Sequence, residues 1–453
     1  MPLAPDSERP DDGILRDVVD EHLAEAEFLV EQVERAFDSS TLALKQLASG
    51  VEARLAAHLD ALALGEGPVH ERVLAKVLAE PDPDEPARFI AAALVALGAG
   101  RFDALPAALG HVEAPVRDAA VRACSLARGD GVDDWLWARL RGDVSDDERG
   151  SLLFVLARRG LEPPPLLAWL QAEAPRLVRA AAEAARLADP TTHAVIVEHL
   201  LGHEDAGVRE AAMIASLAWG SHRALPLCEA WALEDRPHPL PMALSAMLGD
   251  AAHHARLAEK VASPAHRRAA LFALGFSGNP AVLPVLTAHV GGADPVAAKI
   301  AAQAIATLVG IDLDSDAFVA KAPPPKGGAE LPPASEDPEA KKALPPLEED
   351  DLDADLPPPP EAALPTPNAE AIRCHCEKVA PSMAAPGRYL GGQPVGVATI
   401  LDSLDSSPLR RRHVLALGAG IHLNGRAWID TRAFSDVQRR QTAAARAVRG
   451  GHA

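Results

Sequence analysis

The chain has 453 residues, too many for one ordinary core. Its hydrophobic content of 48% includes only 4% aromatic residues, so alanine and leucine carry most of the apolar mass. That balance favours closely packed helices over sheets, which draw on β-branched and aromatic side chains. A net charge of −20 argues against unaided binding to nucleic acid, which relies on clustered cations. The longest apolar run, "FIAAALVALGAG", falls short of the roughly 20 residues that span a bilayer.

The opening, "MPLAPDSERPDD", is acidic and has no basic-then-apolar leader, and four cysteines in so long a chain make no disulfide framework. Both point to a cytoplasmic protein in a reducing compartment. Residues 1–13 are expected to be disordered. From 14 to 80, "ILRDVVDEHLAEAEFLVEQVERAF" and "LALKQLASGVEARLAAHLDALAL" carry apolar residues at helical spacing and predict a helical N-terminal cap.

Residues 81–320 repeat. Helix ends recur at Gly100, Gly129, Gly160, Asp189, Gly220, Gly249, Gly278 and Gly310, about 30 residues apart. A basic residue precedes most of them in matching phase: Arg88, Arg117, Arg149, Arg179, Arg209, Arg268 and Lys299. Leu240 breaks this series inside the Pro-rich "RPHPLPM". Each unit reads as a helical hairpin. An acidic or Pro-containing turn, with Asp205 or Glu113 near the positive helix end, starts the first helix, and glycine in a left-handed cap ends it. Trp137, Trp169 and Trp231 share one phase of the second helix, as expected of a reused packing position. The recurring arginines read as hydrogen-bonding or solvated positions, or as a row along an inner face able to grip an acidic partner.

Residues 321–368 are rich in proline and acid with few large apolar side chains, and are expected to form a disordered linker. Residues 369–447 predict a divergent helical hairpin, "LRRRHVLALGAG" echoing the repeat, that caps the C-terminal end; 448–453 form a tail. From Asn368 onward twelve Lys and Arg face six Asp and Glu, so this part is about +6 against −26 for the rest, and docking onto the acidic body is one expectation.

The repeat units resemble HEAT repeats, in the short variety also seen in phycobilin lyase-like proteins. Further patches are similar to a family of uncharacterised proteobacterial HEAT-repeat proteins. His22, Glu25, Ala26, Phe28 and Leu29 match one motif; Arg54, Leu55, His58, Leu59 and Asp60 a second; Arg388, Tyr389, Leu390, Gly392 and Pro394 a third. The resemblance implies an all-α α-solenoid of about eight hairpins and an association with type VI secretion spike and tip components.

The chemistry-bearing residues are few. Cys374, His375 and Cys376 form one C-x-C without a second ligand pair, so the expectation is a partly buried turn and no metal. His58 and Asp60 lie two apart on a helix and face different ways. His253 and His254, adjacent on a helix, carry no special expectation. No nucleophile, phosphate-loop or dinucleotide motif is present, so no catalytic residue and no cofactor is assigned. The expected function is a non-catalytic scaffold or adaptor for a protein partner, contacted through Arg388, Tyr389, Leu390, Arg410, Arg411 and Arg412. The alternative is a lyase-like enzyme acting on a bilin-type chromophore, by fold analogy.

Overall fold

The computed structural model describes residues 15–129, 131–320, 358–383 and 387–450. Expectations for 1–13, for most of the linker at 321–357 and for the last three residues lie outside them. The fold is all-α, with a single two-residue hairpin, β1 (Tyr389–Leu390) and β2 (Gln393–Pro394), as its only sheet among the described residues.

The N-terminal part holds α1 (Arg16–Phe37), α2 (Leu44–Ser49) and α3 (Val51–Leu64). After it α4 (Glu66–Val69) runs through a π-turn, His70–Leu74, into α5 (Ala75–Ala79). The two sequence motifs of this part face each other across α1 and α3: His22 Nδ1 lies 3.0 Å from His58 Nδ1, and Glu25 lies 3.7 Å from Arg54.

Hairpins follow: α6 (Pro86–Gly98) with α7 (Leu105–Leu109), α8 (Ala114–Leu126) with α9 (Val132–Leu140), and α10 (Asp146–Arg159) with α11 (Leu167–Leu170). Next come α12 (Pro175–Ala185) with α13 (Pro190–His199), α14 (Ala206–Ala218) with α15 (Ala224–Ala232), and α16 (Pro239–Leu248) with α17 (Ala251–Lys260). The series ends with α18 (Pro264–Leu274), α19 (Leu283–Val290) and α20 (Pro295–Val309). Helices α6, α8, α10, α12 and α14 pack successively on one another, as do α16, α18 and α20, forming an inner row with α1 against α6. The outer helices pack mainly against the inner helix that follows them. Alanines such as Ala91, Ala120, Ala181 and Ala212 are fully buried, and their small side chains set the close helix spacing.

The glycines divide into two kinds. Gly160 and Gly310 end α10 and α20 in the expected left-handed conformation, at φ 73° and 83°. Gly129 and Gly249 do not: a Cβ there would overlap the Leu97 and Ser245 carbonyls respectively, so close backbone approach is what demands glycine. Asp205 caps α14 by accepting from the Val208 N–H at 2.9 Å, whereas Glu113 makes no side-chain cap.

Three of the recurring arginines, with Arg267, serve the turns. Arg117 donates to the carbonyl of His111, Arg149 to Val144, Arg209 to His203 and Glu204, and Arg267 to Val261 and Ala262. The guanidinium thus satisfies carbonyls of the turn that follows the preceding outer helix. In the seventh unit Arg267 does this, while its neighbour Arg268 pairs with Asp294. Arg149 and Arg209 also lie over the rings of Trp169 and Trp231, so arginine and tryptophan recur as one packing pair.

The C-terminal part has α21 (Ala369–Val379), α22 (Val397–Ser406), α23 (Leu409–His422) and α24 (Ser435–Gly450). Residues 358–368, read as the end of the linker, pack on the body. Val319 bridges Pro367, Ala320 N–H donates to Thr366, and Glu361 and Leu364 are buried. Helix α21 covers the end formed by α19 and α20. Helix α23 is not at that end: it lies against α1, α14 and α16, and most of its surface is buried. Its start is tied to the N-terminal part, with Ala43 bridging Pro408 and the Arg410 N–H donating to Ser39. Gln303 of α20 donates to the Ser40 carbonyl at 2.7 Å, so the last inner helix also meets the turn after the first. The break in the repeat at Leu240 falls in α16, one of the helices on which α23 packs. No helix among the described residues is long and apolar enough to cross a membrane.

Candidate functional site: an arginine-lined cleft

Of the six residues expected to contact a partner, Leu390, Arg411 and Arg412 are buried, while Arg388, Tyr389 and Arg410 are part-exposed. Arg388 donates to the carbonyls of Ser277 at 2.6 Å and Met247 at 2.6 Å, closing the ends of α18 and α16. The Tyr389 N–H donates to Gly278, and Leu390 is buried. Arg410 pairs with Glu361 at 3.1 Å. Arg411 and Arg412 are only 2% and 1% exposed. Arg412 is fully engaged, donating to the Leu404 carbonyl and to Gln438 Oε1. The basic run Arg410 to Arg412 thus lies at the start of an internally packed helix, α23.

Other predicted features are also structural. Cys374, His375 and Cys376 sit on helix α21, not in a turn. His375 packs edge-on against Phe318 at 5.5 Å, and burial pushes the Cys376 thiol up to about 11. His253 and His254 are wholly buried: His254 Nε2 lies 2.8 Å from the Ala246 carbonyl, and burial drives His253 down to about 4.

A different set of cations converges on a cleft of about 310 Å³. Arg122 comes from α8, Arg158 from α10, Arg176 and Arg179 from α12, and Arg432 from the turn between α23 and α24. Phe154 forms its floor, with Arg176 and Arg179 at 5.7 and 5.6 Å from the ring centre. Residues 176 and 179 are one helical turn apart, so both point the same way. Gly207 leaves room for the Arg179 stem, 3.0 Å from where a Cβ would stand.

Five arginines face two carboxylates in the cleft wall, Glu34 and Asp118. Arg122 donates from Nε to Glu34 at 2.6 Å, Arg176 reaches Asp118 at 3.4 Å, and Arg432 turns to Asp38 at 2.8 Å. Donors remain: Arg122 Nη1 and Nη2 and Arg176 Nε are buried without a partner, and Arg158 and Arg179 form no ion pair among the described residues. Burial lowers the pKa of Arg122 against the pull of Glu34, and lowers that of Arg176, where neighbouring Arg117 adds to the effect. A concave site with surplus guanidinium donors and an aromatic floor is suited to carboxylate or phosphate groups. The sequence signal for it is an extra basic residue within a unit, Arg122 after Arg117 in "RDAAVRA" and Arg176 before Arg179 in "PRLVRA"; Arg179 belongs to the in-phase series, whereas Arg122 and Arg176 do not.

Compared with protein-family models and with curated proteins, the chain gave no match. The likeness to HEAT repeats therefore rests on the residue patterns themselves.

Proposed function

We propose that the chain is a non-catalytic protein-binding scaffold or adaptor that grips an acidic segment of its partner in the arginine cleft. The supporting observation is the gathering of five arginines, several with unused donors, on a protein of net charge −20. So acidic a chain repels nucleic acid at long range, whereas a short run of Asp and Glu reaches the cleft locally. Stacked hairpins supply a rigid frame that holds cations from three successive units in fixed geometry. The resemblance to secretion-associated proteins suggests a type VI spike or effector component as the partner.

The test is capture from the native host at native expression level, followed by mass spectrometry, comparing the full chain with an Arg158→Glu/Arg179→Glu variant. A partner with an acidic segment should be recovered and then lost with the variant. Removing two charge-assisted contacts and adding repulsion predicts a fall in affinity of about 100-fold or more. Identical capture by both proteins would overturn the reading.

A further inference from the structure

We infer that a second site, walled by Arg411 and Ser40, binds a small organic oxyanion. A cavity of about 410 Å³ lies where α20, the turn after α1 and the start of α23 meet. Its wall includes Ser40, Gln303, Thr307, Ser407 and Arg411.

Two of these residues are buried polar groups without partners. All three guanidinium nitrogens of Arg411 lack a hydrogen bond, and so does the Ser40 hydroxyl. A buried, unpaired charge is strongly unfavourable, and folded proteins rarely leave one without an acceptor. The protein does position this cation deliberately. Phe272 and Phe276 hold it by their faces at 4.9 and 5.0 Å, and Gly275 makes room: a Cβ there would come 2.8 Å from Arg411 Nη1. What it lacks is an anion. The nearby carboxylate of Glu361 is taken by Arg410. Arg412, next in sequence and equally buried, shows the contrast, since Gln438 and Leu404 satisfy it.

The chemistry around the cavity selects the ligand class. Hydroxyls and an amide share the cavity wall with this one cation, and the volume falls within the usual range for small-molecule sites, roughly 300–1,000 Å³. Asp312 and Asp314 also stand in the wall and repel a highly charged species. The fit is therefore one carboxylate or phosphate group on a small polar molecule whose body lies among the hydroxyls and whose oxygens reach Arg411 and Ser40 as these side chains, now buried beneath the wall, turn outward. Binding joins α20, α23 and the turn after α1, so it tightens the closure between the two ends of the inner row.

Thermal unfolding and calorimetric titration with inorganic phosphate and with lactate, a hydroxylated monocarboxylate, at constant ionic strength in chloride, test the site. All proteins carry Arg158→Glu/Arg179→Glu, so that anions binding in the arginine cleft do not contribute. Saturable stabilisation and binding by either anion are expected, and the response to phosphate against lactate separates the two oxyanion sources. Arg411→Met should lose the response by at least about tenfold while folding at least as stably without anion, because an apolar side chain of similar length suits the phenylalanine pair. Ser40→Ala should weaken the response without abolishing it. No saturable response in the parent, or an equal response in Arg411→Met, overturns the site. Either result leaves the partner reading of the cleft standing.

Discussion

Gly418 and Gly420 lie inside α23, where the sequence alone reads as a repeat-like helix stop. A Cβ at Gly418 would overlap Met247 Sδ, and one at Gly420 would meet the Trp428 ring. Both glycines are there to let neighbours approach, at the cost of helix propensity. Gly418→Ala is expected to destabilise the protein by about 1–3 kcal/mol through overpacking. Gly98→Ala, in an exposed position with nothing within 4 Å of the new Cβ, should instead be neutral or stabilise by roughly 0.5–1 kcal/mol. Urea unfolding of the two variants separates the cases. Pattern reading finds that a glycine punctuates; whether it serves dihedral angle or contact depends on tertiary neighbours, which for Gly418 include Met247, far back in the chain. The same limit hid the fate of the arginines. A run of three in "LRRRHV" reads as a patch for a partner, and only the packing of α23 shows one paired with Glu361, one satisfied by backbone and amide oxygens, and one unpaired.

At the level of single helices, α24 is joined to the body by its first residue. The Ser435 N–H donates to both carboxylate oxygens of Glu52, at 3.0 and 3.1 Å, and the helix dipole favours that charge. Burial raises the pKa of Glu52 while the Ser435 bonds oppose it. Glu52→Ala should cost about 1–2 kcal/mol and loosen α24, seen as earlier proteolysis near residue 435 with the inner row intact. Helix type and order were legible across residues 81–320, because a 30-residue period with glycine and arginine markers specifies most of the hairpins. Placement of the last helices was not. Nothing in "LRRRHVLALGAG" states that it packs between α1, α14 and α16; the only local hint is that the repeat falters at Leu240.

For the molecule as a whole, stability should depend on pH through buried histidines. His253 is driven down to about 4 by burial, with Arg256 and His254 adding, against an ordinary value of 6.5. As pH falls from about 6.5 towards 4, the unfolded chain gains a proton at this site that the folded chain refuses, so stability declines across that window. Asp38, held at about 2 by hydrogen bonding from His413 and by Arg432, adds a loss between 3.8 and 2. Urea midpoints measured across pH 4–7 should fall on acidification, and less steeply in His253→Gln. Cutting the chain at Lys321 would remove α21 to α24 and uncover the faces of α14 and α16 beneath α23. That fragment is expected to bind a hydrophobic dye and to unfold at lower urea than the full chain. The fold class was readable because composition and period agree. The cleft was not, because its arginines come from three hairpins and a distant turn that only tertiary packing brings together.

The contact between the end of α1 and the start of α23 also sets an order of events during synthesis. His413 meets the Phe37 carbonyl, 376 residues earlier in the chain. At roughly 5–20 residues per second, the first helix waits on the order of 20–75 s for its partner to leave the ribosome. Through that interval the nascent hairpins can stack, but the apolar bed of α23 stays open to water and to other chains. Late closure of so long a loop is slow and aggregation-exposed. Yield in cells should therefore respond to chaperone supply and growth temperature more than the stability of the finished protein would suggest.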